Sequence, residues 1–583
     1  MRMAGSGSVM VFILGCVFGV NAQVPPSSAA QATMSVTEVP SGASSQISES
    51  QPPAAVTLND VLDRVVQREH LFMAQMRHMH PMVETYLQDL KNDSAGNPTP
   101  VKDQYFLGRL EMSDGPEDVS FMGQPGFGHR MLNKMTGVYS LHFLPMGFAQ
   151  MVVLDPDFQK RFYNFTFVRR EFLGELRCLV IDVQPKGGQK TARFMGRIWV
   201  EDQDYNVVRF NGTYYPQPKI NFFFHFDSWR LNMRQGMWLP AYVYTEESNL
   251  KTGFSKTLHF KAQTRLWGYD LKGLAKNEEF TQILIDSPQS VKDQSDTASD
   301  ASPVAAERMW ERQAEENAVD RLQKIGLLSP PGDVDKLLAT VVNNLLITNN
   351  IDLPDIHCRI LLTSPLESFT IGHTIVMSRG LLDVLPDEAS LAMVLAHELS
   401  HIVLAHRFDT RLAFNDRLFF PDEESFRRLD FKRSSADEEA ADNKAVELLK
   451  KSPYQDKLSN AGLFLRALQQ KAPDLPNLIR PHLGNSFGGS KTTRMSSLLA
   501  SAPALDEKRL DQIAALPLGG RIKVDPWSDR LELSKAKPVT LTSASEKMEF
   551  EITPVFPYLT RFSTGSTDRM AQTTTSPSET EQK

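Results

Sequence analysis

Five residues of this chain have the types and spacing of hydrolytic chemistry: His397-Glu398-Leu399-Ser400-His401, an H-E-x-x-H pattern. On a helix, two histidines four apart lie on nearly one face, so both imidazoles can reach a single metal ion. Glu398, one position along, is then placed to take the proton of a water that the metal activates. The flanking residues ASLAMV and IVLA contain no Gly or Pro and favour a helix. Imidazoles in so apolar a helix are costly unless their nitrogens find partners, which a metal or backbone hydrogen bonds would supply.

A second helix is predicted over SSADEEAADNKAVELLKK, with Ser434 or Ser435 as its N-cap, acidic residues in its first turn and lysines in its last. Glu438 and Asp442 are four apart and share a face. Taken alone, they read as the solvated acidic start of a helix. Beside the first motif they complete another pattern. Glu438 would join His397 and His401 as a metal ligand, leaving one position open, which is the arrangement of a catalytic rather than a structural zinc site. Asp442 would then fix the orientation of a ligand imidazole through its other nitrogen. Ala440 and Ala441 allow the close helix packing this requires.

These elements sit in a chain of 583 residues, enough for two or three domains. Its 41% hydrophobic and 23% charged content is that of globular protein. A net charge of −7 argues against nucleic-acid binding. Three cysteines exclude a disulfide scaffold, and Cys178 and Cys358 are expected as buried thiols in different domains. Residues 1–22 resemble a signal peptide: Arg2, an apolar run from Val9 to Val20, then Val20-Asn21-Ala22 as a cleavage site. Leu14-Gly15-Cys16 offers lipidation as a second route. The expectation is an exported protein, periplasmic or extracellular, whose mature chain has no transmembrane segment. Peripheral association with a membrane stays open to it.

Residues 23–55, rich in Ser, Pro, Ala and Gln, are expected as a disordered linker. Residues 56–284 form a helix plus a β-rich module. The helix is predicted from Leu58 to Leu90, and His70, Met73, Met76, His78, Met79 and His80 on it could be a soft copper-type site or a Met-rich packing face. From about Gln104 to Trp267, short alternating runs separated by turn residues predict an antiparallel, half-barrel-like sheet. Arg177 to Glu246 resembles the strand series of LolA-like lipoprotein carriers. That resemblance implies a greasy cavity, which Phe222, Phe223, Phe224, Trp229 and Trp238 could line; an ordinary sheet core is the alternative. A polar linker is expected at 285–305, then a domain carrying both motifs at 306–500, a C-terminal extension at 501–562 and a disordered tail at 563–583. The expected fold class is α+β, with a mainly helical domain after the sheet.

The order GLLDVLPDEASLAMVLAHELSHIVLAH, then SSADEEAADNKAVELL, resembles the zinc metallopeptidase family of HtpX and BepA (family forty-eight, gluzincin type). Its two signatures match at His397, Glu398, His401, Glu438 and Asp442, over roughly a third of the chain. The resemblance implies that residues 306–500 are a zincin-type metallopeptidase domain, a zinc-dependent endopeptidase with one Zn2+ per chain and polypeptide substrates such as misfolded envelope proteins. The family's Asn-Ala-Phe-Ala strand is replaced here by Glu367-Ser368-Phe369-Thr370. A family His-Pro element followed by Arg is echoed by His482-Leu483 and Arg494, which the resemblance offers as stabilisers of the tetrahedral intermediate. The other function consistent with the sequence is an envelope chaperone or lipoprotein-binding factor whose zinc domain is latent.

Overall fold

The computed structural model describes residues 57–92, 98–112, 117–120, 148, 151–188, 191–216, 223–251, 257–269, 271, 303–353, 355–407, 430–480, 483–485, 494–504, 522–524, 531–533, 550, 552 and 554–562. The expected leader and first linker, Cys16, most of the second linker, His482 and the tail lie outside the described residues. The first helix, α1 (Leu58–Met76), starts at a capping box in which Thr57 Oγ1 accepts from Asp60 N and Asp60 accepts from Thr57 N. It buries Val61, Leu62, Val65, Phe72 and Met76 along one stripe.

The helix expected to run to Leu90 stops at Met76, and Met82–Asn92 is a strand instead, β1. Pro81 disfavours helix for the residue before it. Beyond it, both faces of β1 are buried, so the polar alternation that marks a half-exposed strand is missing. Met76 and Met79 are core residues while His70, His78 and His80 are exposed, which makes the Met/His run a packing face rather than a soft-metal site.

Nine further strands join β1: β2 (Pro98–Glu111), β3 (Glu117–Ser120), β4 (Tyr163–Leu173), β5 (Leu176–Pro185), β6 (Arg193–Glu201), β7 (Val207–Tyr215), β8 (Phe226–Arg234), β9 (Met237–Lys251) and β10 (Thr257–Trp267). Every neighbouring pair is antiparallel, in the order β3-β2-β1-β10-β9-β8-β7-β6-β5-β4. Among the described residues the sheet ends at β3 and β4.

One face packs on α1, Phe148 and residues 151–163, around Phe148, Phe158, Phe194, Phe210, Phe226 and Phe260. A buried pair pins the helix there: Arg230 donates to both oxygens of Glu69, at 2.6 and 3.0 Å, with its guanidinium 3.9 Å over the Phe72 ring. On the other face, Trp199, Trp229, Trp238 and Tyr242 pack with Leu559 of the C-terminal segment. Gly174, at φ +65°, turns β4 into β5 against the Leu559 backbone, where any Cβ would lie 2.4 Å from the carbonyl oxygen. The aromatics proposed to line one cavity are therefore divided. Phe223 and Phe224 belong to the first face, Trp229 and Trp238 to the second, and Phe222 lies outside the described residues. They form ordinary sheet core.

The helical part comprises α2 (Pro303–Ile325), α3 (Asp333–Thr348), α4 (Arg379–Val384), α5 (Glu388–Val403), α6 (Ser435–Lys450), α7 (Leu458–Lys471), α8 (Pro476–Ile479) and α9 (Ser496–Ser501). Between α3 and α4 lie β11 (His357–Leu361), β12 (Ser368–Ile371) and β13 (Thr374–Ser378), in the order β11-β13-β12, so β12 is an edge. β14 (Ile522–Val524) and β15 (Leu531–Leu533) form a separate pair.

The two parts share a core. Met82, Tyr86, Leu107 and Trp267 of the sheet cluster with Leu338, Leu345, Ile360 and Leu395. Buried Glu84 on β1 accepts from Ser364 N, Ser364 Oγ and Tyr105 OH at 2.6, 2.7 and 2.8 Å. Asp103 on β2 accepts from the backbone N–H groups of Asn477 and Leu478 at the start of α8. Hydrogen bonds to a buried carboxylate contribute on the order of 1.5–3 kcal/mol each, so these contacts fasten the helical part to the sheet. Cys178 and Cys358 are both buried and unpaired. Among the described residues no helix is long and apolar enough to cross a membrane.

Candidate metal centre

α5 carries the first motif. Asp387 caps it by accepting from Ser390 N at 2.8 Å, and every residue from Ala389 to Ile402 is buried. A helix apolar all round belongs at the centre of a domain, and here α6 packs alongside it. Ser434 caps α6, accepting from Asp437 N at 3.2 Å. The first turn of α6 therefore brings Glu438 to α5, and Asp442 follows one turn later on the same face.

His397, His401 and Glu438 come together. The two Nε2 atoms are 3.2 Å apart, and the Glu438 carboxylate oxygens lie 3.4 Å from His397 Nε2 and 3.5 Å from His401 Nε2. Bonds of 2.0–2.1 Å to a tetrahedral zinc would separate ligand atoms by about 3.3–3.4 Å. The three side chains already stand at that spacing. Two buried imidazoles aimed at each other and at one carboxylate fit a cation better than they fit one another.

The charges show the same crowding. Burial lowers the pKa of His397, but hydrogen bonds to Asp442 and Glu438 outweigh it and hold the ring up at about 9. Burial and the neighbouring His397 push His401 down to about 2. Burial would raise Glu438, yet its bond to His397 and the Arg494 charge bring it down to about 2. Burial raises Glu398, opposed by His397 and by a hydrogen bond from Ser368.

Around the triad stand the groups that orient it. Asp442 Oδ1 is 2.9 Å from His397 Nδ1, and its other oxygen accepts from Met495 N at 3.1 Å. His401 Nδ1 meets His406 Nδ1 at 2.8 Å, and His406 Nε2 lies 3.7 Å from Asp437. Ala405, at φ +54°, turns the chain so that His406 reaches back. Arg494 pairs with Glu438 and places Nη1 3.1 Å from His397 Nε2, while Asn485 donates to Glu438. Arg433 donates to the Thr370 carbonyl at 3.2 Å and to the His406 carbonyl at 2.9 Å. Gly484 lies against the Ser368 carbonyl, so the 430–433 and 483–485 segments line β12.

The structure thus brings together His397, Glu398, His401, Glu438, Asp442 and Arg494, while His482 lies outside the described residues. Sequence reasoning missed His406, Ser368, Arg433 and Asn485. A histidine five residues beyond His401, and a serine beginning the buried strand Ser368–Ile371, were the available signals. Asp442→Asn should lower metal affinity roughly ten- to a hundredfold, because the imidazole loses its charged partner. Competition with a chromogenic chelator measures this, and unchanged affinity would remove Asp442 from the centre.

Residues 335–416 match the family model described as Peptidase family M48. The segment bearing His397 and His401 is thus that of a metallopeptidase family, as the two motifs implied. The match ends before Glu438 and Asp442. No curated protein matches the chain. Solved structures similar to parts of it include a DUF1329 family protein from Desulfovibrio piger, with 11% identity, 36% of this chain and 92% of that chain covered, and a TM-score of 0.19. A LolA superfamily protein from Nitrosomonas europaea has 12% identity, coverage of 39% and 99%, and a TM-score of 0.20. The MucA/MucB complex of Pseudomonas aeruginosa has 9% identity, coverage of 36% and 93%, and a TM-score of 0.12.

Proposed function

We propose that this chain is an exported zinc-dependent metalloendopeptidase that hydrolyses polypeptides, with misfolded envelope proteins as its substrates. The observation that carries the reading is the spacing of His397, His401 and Glu438 from two helices, with Glu398 beside them. One zinc ion held by these three would supply Lewis acidity toward a water and a peptide carbonyl.

The residues do the rest. Glu398 takes a proton from the attacking water and delivers it to the leaving amine, and a carboxyl raised by burial suits both steps. Asp442 and His406 hold the two imidazoles by their Nδ1 atoms, leaving each Nε2 for the cation. Arg494 sets a positive charge beside the triad, where negative charge develops on the substrate oxygen. His482 is carried forward for the same role on the resemblance alone. An extended peptide would add to β12, the edge strand, and must contend there with Arg433 and Gly484.

Purified protein incubated with an unfolded outer-membrane polypeptide should cleave it, lose that activity to a chelator, and regain it with zinc. Binding without cleavage, unaffected by the chelator, would favour the carrier reading. That reading has the weaker support, because its cavity-lining aromatics lie packed on two different faces.

A further inference from the structure

Ser368 stands on β12 with its hydroxyl donating to Glu398 Oε1 at 2.6 Å, and both side chains are buried. A Glu carboxylate rotates easily about its last torsion, which is broad and two-fold. A carboxylate that must take and return a proton works best with one oxygen anchored and the other presented. Ser368 supplies such an anchor from a rigid element. It pairs with Met377 of β13, and its neighbour Glu367 is held at the backbone by Ser378 Oγ and at the side chain by Leu483 N. A hydroxyl both donates and accepts, so it can follow Glu398 through protonation without moving far.

We infer that Ser368 is a positioning residue for Glu398, holding one carboxylate oxygen so that the second serves as the proton acceptor. The inference rests on the peptidase reading above. The bland alternative is a buried serine that has merely found a partner for its hydroxyl. The two differ in what the loss of that hydroxyl does to turnover.

Ser368→Ala and Ser368→Thr are to be compared with the parent chain for cleavage of a fluorogenic peptide, metal content and melting temperature. For Ser368→Ala, kcat should fall about tenfold, the worth of one hydrogen bond to a charged group, with KM within about twofold and metal content unchanged. Ser368→Thr, which keeps the hydroxyl, should restore most of kcat. A turnover-independent readout is the carboxylate band in isotope-edited infrared spectra of the metal-free protein. Ser368→Ala should shift that band in the parent background and not in the Glu398→Gln background. If the parent cleaves and Ser368→Ala cleaves equally fast, the assignment is overturned while the peptidase reading stands. An unchanged band overturns it independently. If the parent does not cleave, the peptidase reading falls, and a band shift still identifies Ser368 as the anchor of Glu398.

Discussion

Glu398→Gln should leave the metal bound and reduce peptide cleavage by a hundred- to ten-thousandfold, the usual worth of a general acid–base group. The side chain is not among the three that converge, so its amide disturbs neither His397, His401 nor Glu438. It does replace the carboxylate that accepts from Ser368 Oγ with a group that cannot accept the water's proton. Gln is nearly isosteric with Glu, so packing inside α5 changes little. Equal rates for the parent and the variant, at equal metal content, would show that another group is the base.

Glu438→Ala should weaken metal binding on the order of a hundredfold or more, since loss of a group that merely orients a ligand already costs ten- to a hundredfold. The substitution also removes the partner of Arg494 and of Asn485, so part of its effect is a guanidinium left beside two imidazoles. Glu438→Gln separates these contributions. It keeps the shape and the amide contact while removing the negative charge, so it too should lose metal if the charge is what binds. Retention of metal by both variants would mean that the cation, if present, is held elsewhere.

Much of the site was readable along the chain because its parts are local. H-E-x-x-H and the later Glu438/Asp442 pair each obey the helical repeat, and Ser434 marked the start of the second of the two helices that carry them. The antiparallel module was readable where one strand face meets solvent. It failed at β1, where both faces are buried and Met82 to Leu90 mimicked the continuation of a helix. The groups that orient the triad were harder to find, because each reaches it through the tertiary fold. Ser368 comes from β12, Arg433 from the loop before α6, and His406 depends on the turn at Ala405. The linker expected between the sheet and the helical part also concealed how closely the two pack. Glu84 falls within the helix expected to run to Leu90, and Asp103 lies just ahead of the strands expected from Gln104, so neither shows its buried partner until Ser364 and α8 are placed against them. Contacts between residues hundreds of positions apart leave no periodic trace.

Two imidazoles and one carboxylate are proposed to hold a single catalytic cation. Elemental analysis of the purified chain, beside Glu398→Gln and Glu438→Ala, tests this most directly. One zinc per chain is expected in the parent and in Glu398→Gln, and little or none in Glu438→Ala. A parent chain that binds no transition metal even when zinc is supplied, or a Glu438→Ala chain that binds as much as the parent, would contradict this proposal.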